Sequence, residues 1–291
     1  MERARHVRIV EGEIEEYAEG LVELAADQAV ADEPAEGGAE GDAAFAICMN
    51  AINFGSGWWP TIRKRPGLSG YGTMVAGVRD RFAAGGPWHA EELAAMEPGA
   101  IAGVVAQDPG HPLMAEFAAA LRDVGAHLLA EFDGRYQGAA EGVESIPALA
   151  ARFAGWQAFA DVSSYERREV PFFKRTQLAA ADLQRAGVAD LPGAERLTAF
   201  ADNLVPHVLR VDGVLRLDPD LTAAIEAGGL LAHGSRQEVE LRAAAVHAVE
   251  LLSAATGGDL SPAEIDSALW NRGAAPRYKS RPRPRSRNTA Y

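Results

Sequence analysis

A helical period constrains this chain more than any other feature. Ala-rich segments place apolar residues three and four positions apart, as in Leu113-Met-Ala-Glu-Phe117-Ala-Ala-Ala-Leu121 and its continuation to Leu129. That spacing lines one face of an α-helix. Helix starts are written into the sequence as well. Ser235-Arg-Gln-Glu238 reads as a capping box, after which Val239, Ala243, Val246 and Val249 share a face. Ser261-Pro-Ala-Glu264 sets a cap, a first-turn proline and a third-position acid in order, with Gly273 as the stop. A further helix is expected from Phe173 to about Ala186, ended by Gly187. Alternating β-branched runs, the mark of a half-buried strand, are scarce. Val211-Asp-Gly-Val-Leu215 offers at most a turn with a stub of strand, and no repeat has solenoid length. The expected fold is all-α, one globular helical domain over residues 1–291 with no convincing linker.

Charge divides the chain. Residues 9–62 hold twelve acids and no Lys or Arg, and 32–42 is expected to be a mobile acidic loop. Arg277 to Arg287 holds six cations and no acid, and Pro276, Pro282 and Pro284 should keep the basic 276–291 segment extended rather than helical. The net charge of -13 argues against a protein whose main work is to wrap duplex nucleic acid, because such binding rests on phosphate neutralisation. Cys48, the single cysteine, cannot form an internal disulfide and fits a reducing compartment. The most apolar stretch, Phe45 to Phe54, is interrupted by Asn50 and Asn53, and the N-terminus lacks a signal-peptide core. A soluble cytoplasmic protein is expected.

Few residues stand out chemically. No two of the seven histidines have one-turn spacing, so no metal site is expected, and Glu238, Glu240 and Glu250 near His247 read as a solvated helix face. Gly55-Ser-Gly57 and Gly70-Tyr-Gly72 are fragments of phosphate loops and read as turns. The first lies between Phe54 and Trp58-Trp59, which form either an aromatic core cluster or a stacking platform for a flat ligand. Lys174, after Pro171-Phe-Phe173, is either a lysine snorkelling above an aromatic core or an ammonium held for an anionic group. Asp202 stands inside Phe200-Ala-Asp-Asn-Leu-Val205, where burial is costly without a partner, and Pro206 should break the local helix. An exposed, uninvolved Asp is the other reading of that position.

Several segments stand in a telling order: Asn50-Ala-Ile-Asn-Phe-Gly-Ser-Gly57, Val170-Pro-Phe-Phe-Lys-Arg-Thr-Gln177 with Asp182, and Leu197-Thr-Ala-Phe-Ala-Asp-Asn-Leu-Val-Pro206. Glu238-Val-Glu-Leu-Arg242, Leu269-Trp-Asn-Arg-Gly273, Tyr278-Lys279 and the Pro/Arg tail to Tyr291 follow. Together they resemble the queuosine salvage proteins, which act as queuosine 5'-phosphate N-glycosylases/hydrolases. The resemblance implies an all-α fold similar to helix-hairpin-helix DNA glycosylases and hydrolysis of queuosine 5'-monophosphate to queuine and ribose 5-phosphate. It implies Asp202 as the catalytic carboxylate and Lys174 as the lysine of the pocket. Asn53, Phe54, Phe200 and Asn203 become base-pocket residues, with Glu238 and Glu240 as further substrate-binding candidates. No cofactor is implied, and the expected protein is a monomer that takes a small nucleotide and has no stable nucleic-acid partner. Departures are Asn50, where the family usually has an acid, and Pro284, where it usually has His. Two other functions are open at this point: a glycosylase of the same fold acting on another nucleotide or base, and a non-catalytic tRNA-binding protein using the basic tail.

Overall fold

The computed structural model describes residues 3–26 and 38–291. In chain order it builds β1 (Val7–Ile9), α1 (Ile14–Ala26), α2 (Gly38–Ala51), α3 (Gly70–Gly85), α4 (Ala90–Ala94), α5 (Pro98–Val104), α6 (Pro112–Glu131) and α7 (Ile146–Ala154). There follow β2 (Val162–Tyr165), β3 (Arg168–Pro171), α8 (Lys174–Arg185), α9 (Val205–Val211), β4 (Leu215–Leu217), α10 (Pro219–Glu226), α11 (Arg236–Ala255), α12 (Pro262–Arg272) and α13 (Pro276–Lys279). The protein is mostly helical. Among the described residues, no helix is long and apolar enough to cross a membrane.

The capping chemistry operates as the sequence suggests. Ser235 accepts from the Glu238 N–H at the start of α11, and Ser261 and Glu264 form a reciprocal capping box on α12, which ends at Gly273. Four expectations need correction. The fold is not purely α, since β1 pairs antiparallel with β4 and β2 with β3. The strand stub near Val214 is therefore real but finds its partner far away at the N-terminus. Residues 38–42 of the expected acidic loop are the first turn of α2, and Glu40 accepts from the Tyr136 and Gln137 N–H groups; the rest of that loop lies outside the described residues. Pro206 starts α9 instead of breaking a helix, because proline at a first-turn position lacks only an N–H that had no helical partner. Pro276 does the same for α13, so the tail is extended only beyond it.

Two large apolar cores, with a small third cluster of Phe172, Ala201 and Val239, divide the packing. The first gathers Ile47, Val78, Leu93, Phe117, Leu121, Phe153 and Leu183 around α6. Gly125 lets α4 approach, since a Cβ there would stand 2.3 Å from the Ala94 nitrogen. The second joins β1 and α1 to α9–α12 through Val7, Leu21, Val208, Leu241, Leu252 and Ile265. Each fully buried Leu or Phe of this kind contributes about 1.5–3 kcal/mol. The β2–β3 hairpin lies at the seam between the two large cores, against α11, while α8 belongs to the first core and packs on α2 and α7. The hairpin turns on Glu166 and Arg167, both at positive φ (49° and 66°), which matches the right-handed twist of paired strands. Its base pairs Val162 with Pro171 and so brings Asp161 against the start of α8.

Candidate active site

Lys174 is placed by its backbone. Phe173, just before it, adopts a left-handed conformation (φ 52°, ψ 36°), a strained choice for an aromatic residue. Asp161 holds it there. The Asp161 carbonyl accepts from Phe172 N–H (3.0 Å), and its carboxylate accepts from Lys174 N–H (3.0 Å) at the positive end of α8. The same carboxylate takes two charge-assisted bonds from Arg242 (2.9 and 2.8 Å). Asp161 is therefore fully engaged as a scaffold. The turn points the Lys174 ammonium at the end of α2, where it donates to the Asn53 carbonyl (3.0 Å) and Oδ1 (3.3 Å). Burial pulls the Lys174 pKa down to about 8, while Asp202 and Asp266 work to keep the proton on and Arg175 and Arg242 work against it.

Asp202 is buried, not exposed. Its Oδ1 accepts from the Leu204 and Val205 N–H groups (2.7 and 3.0 Å), so it braces the turn into α9 and is fixed in direction. Asp266, from the second turn of α12, is buried within electrostatic reach of both Asp202 and Lys174, and its Oδ1 accepts from Phe200 N–H (2.9 Å). Sequence reasoning passed over Asp266, because a lone Asp after a capping box reads as a polar helix face.

The basic tail closes the arrangement. Residues 280–291 run from α9 to the end of α2, with their backbone carbonyls accepting from side chains distant in sequence. Arg210 donates to Pro282 (2.9 Å), Asn203 Nδ2 to Pro284 (2.7 Å), and Arg175 to Ala290 (3.1 Å) and to Thr289. Gly55 N–H reaches Tyr291 (3.3 Å), and Gly57 is small of necessity, since a Cβ there would lie 2.4 Å from the Ser286 carbonyl oxygen. Tyr291, Ala290 and Ser286 are buried, so this segment is structure and not solvated tail. Its cations divide in role. Lys279 is exposed, Arg285 donates to Gly228 O (2.9 Å), and half-buried Arg283 lies within electrostatic reach of Asp202.

The structure thus brings Lys174, Asn53, Asp202, Phe200 and Asn203 into one region. Phe54 serves the core beside it, edge-on to Phe117 (5.1 Å) and under the Arg175 guanidinium (5.0 Å). The Glu238/Glu240 face is not solvated: both are buried. Burial disfavours charge on Glu238, yet His233, Arg242 and Tyr291 together hold its pKa below the usual range. Glu240 is occupied elsewhere, accepting from Arg5, His6 and Val7 N–H groups and from the Tyr165 hydroxyl, and so pins the N-terminal strand. Asn50, the position where an acid was expected, donates to Asp182 (2.7 Å) and avoids opposing two carboxylates.

A buried lysine within electrostatic reach of two buried, backbone-anchored carboxyls sits in a mostly helical protein. The model of the Queuosine salvage protein family matches residues 34–291, and the chain belongs to that family. A queuosine 5'-phosphate N-glycosylase/hydrolase of Sphaerobacter thermophilus is 31% identical over 267 residues, 87% of this chain and 83% of that protein. Proteins of the same name from Mus musculus (29% over 169 residues, 54% of this chain and 50% of that protein) and Dictyostelium discoideum (34% over 140 residues, 46% and 44%) also match.

Proposed function

We propose that this protein hydrolyses the N-glycosidic bond of queuosine 5'-monophosphate and releases queuine and ribose 5-phosphate. The observation that carries the reading is the burial of Asp202 within electrostatic reach of buried Lys174 in a chain of this family. Cleaving a ribosyl–nitrogen bond builds positive charge at C1'. Asp202, aimed by two N–H groups, supplies the opposing negative charge, or attacks C1' directly, where water is sparse and the field is strong. Lys174 keeps the cluster near neutrality and anchors the Asn53 end of α2. The mostly helical architecture with a buried Lys and Asp supports a likeness to helix-hairpin-helix DNA glycosylases. Both cores act as one catalytic unit, since Lys174 and Asn53 come from the first side of the seam and Asp202 and Asp266 from the second. The reading takes the protein as a cytoplasmic monomer acting on a free nucleotide, and the net charge of -13 weighs against a stable nucleic-acid partner.

Arg283 is the cation best placed for the 5'-phosphate, because it is half-buried near Asp202 while its neighbours are exposed or engaged. Charge-assisted hydrogen bonds are worth about 1.5–3 kcal/mol, so the monophosphate is expected to have a kcat/KM roughly ten- to a hundredfold above the free nucleoside. Equal values would remove the phosphate from the reading. A pH–rate profile tests Lys174. Because its pKa is lowered to about 8 from 10.5, kcat/KM is expected to fall as pH rises through 8 and the ammonium is lost. A profile that stays flat well above pH 8 would show that the Lys174 charge is dispensable.

A further inference from the structure

Asp202 and Asp266 are anchored in the same manner. Each commits Oδ1 to backbone N–H donors, Asp202 to those of Leu204 and Val205 and Asp266 to that of Phe200. Among the described residues neither Oδ2 accepts a hydrogen bond, which leaves it for other work. The donor to Asp266 lies two residues before Asp202 in the same loop, so the two carboxyls are held as a unit by one short segment. They approach from different elements, α12 and the turn into α9, and Lys174 lies within reach of both. Lys174 and Arg283 both act on Asp202, whereas Asp266 is the more deeply buried of the two carboxyls and meets Asp202 as a like charge against Lys174. Close buried carboxyls resolve such a conflict by keeping one proton, here on Asp266.

We propose that Asp266 is the general acid of the reaction, donating its proton to the departing base while Asp202 remains ionised. The inference rests on the proposed function, and it supplies a step that the substrate's chemistry demands. A 7-deazapurine has carbon where a purine has its readily protonated N7, so its departure requires a proton delivered elsewhere, at N3 or at the carbonyl oxygen of the pyrimidine ring. The step balances. The C1'–N9 bond breaks with its electron pair going to the base, the base takes the Asp266 proton, water oxygen bonds to C1', and the water's surplus proton passes to Asp202. Proton exchange with solvent restores both carboxyls. Burial and the neighbouring Asp202 hold the Asp266 pKa well above the ordinary carboxyl range, with Phe200 N–H and Lys174 opposing, which keeps the proton available near neutral pH.

Asp266→Asn tests this, since the amide oxygen can still accept from Phe200 N–H. On queuosine 5'-monophosphate in single-turnover mode, the rate is expected to fall about 10²- to 10⁴-fold with melting temperature and KM little changed. The wild type is expected to show a normal solvent deuterium isotope effect that shrinks in Asp266→Asn, and Asp266→Glu, which restores a titrating carboxyl, should recover part of the rate. A folded Asp266→Asn with near wild-type turnover, or a folded Asp266→Glu no faster than Asp266→Asn, would overturn the role. If neither variant folds, a wild-type isotope effect of unity would overturn it and a normal effect would support it. A wild-type protein that releases no queuine would instead overturn the functional reading on which the role depends.

Discussion

Asp202→Asn is expected to fold, to bind queuine and to lose nearly all glycosidic cleavage. The structure explains why folding should survive. Asp202 acts on the fold through Oδ1, which accepts from Leu204 and Val205 N–H, and an asparagine oxygen can accept the same bonds. What the amide lacks is the charge opposite the developing ribosyl cation. Removing one preorganised electrostatic partner costs about 10²–10³ in rate. A larger loss would point to Asp202 as the nucleophile, because no covalent intermediate could then form. A mutant that melts lower while its folded fraction keeps wild-type kcat would make Asp202 structural. Asp161 cannot take over in that case, since both its oxygens are bound to Arg242.

Deleting residues 288–291 should damage both stability and activity, although it removes only four residues from the end of the chain. Arg175 is 1% exposed and would lose its Ala290 and Thr289 acceptors. Arg242 would lose the Tyr291 ring that now stacks 4.2 Å from its guanidinium. Unsatisfied buried donors cost about 1–3 kcal/mol each, and more when charged. A total of about 3 kcal/mol corresponds to a drop of roughly 6–12 °C in Tm for a domain of this order of size. Because Arg175 adjoins Lys174 and also donates to Ala51, loss of its tail partners should loosen the Asn53 end of α2 and lower kcat as well. A solvated tail would give unchanged Tm and kcat by thermal melting and steady-state assay, and that result would contradict the buried strap.

How much of this was legible before the structure follows from where the determining contacts lie. Helices α6, α8, α11 and α12 are specified locally by periodicity, by Ser235 and Ser261, and by the stops at Gly187 and Gly273, so the sequence displays them. Lys174 and Asp202 stand out as charges set inside apolar runs. The β2–β3 hairpin was hidden because Glu166-Arg167 lacks the Asn-Gly chemistry that usually marks such a turn. Glu238 and Glu240 read as solvated because nothing near them in sequence shows that α11 is covered by Tyr291 on one side and by the N-terminal strand on the other. The tail misled for a related reason. Its arginines and prolines signal an exposed extended segment, but it is held through its carbonyls, which have no sequence signature, by donors as distant as Asn203 and Arg175. Asp266 was missed on the same grounds, since its partners Phe200, Asp202 and Lys174 all lie on other elements.

The most direct measurement is hydrolysis by the purified protein across a panel of nucleoside 5'-monophosphates, scored by release of free base and ribose 5-phosphate. The account predicts that queuosine 5'-monophosphate yields queuine with a kcat/KM far above those of the common purine and pyrimidine monophosphates, and that Asp202→Asn abolishes this release. Comparable turnover of the common nucleotides, or no queuine released by the wild-type protein, would contradict it.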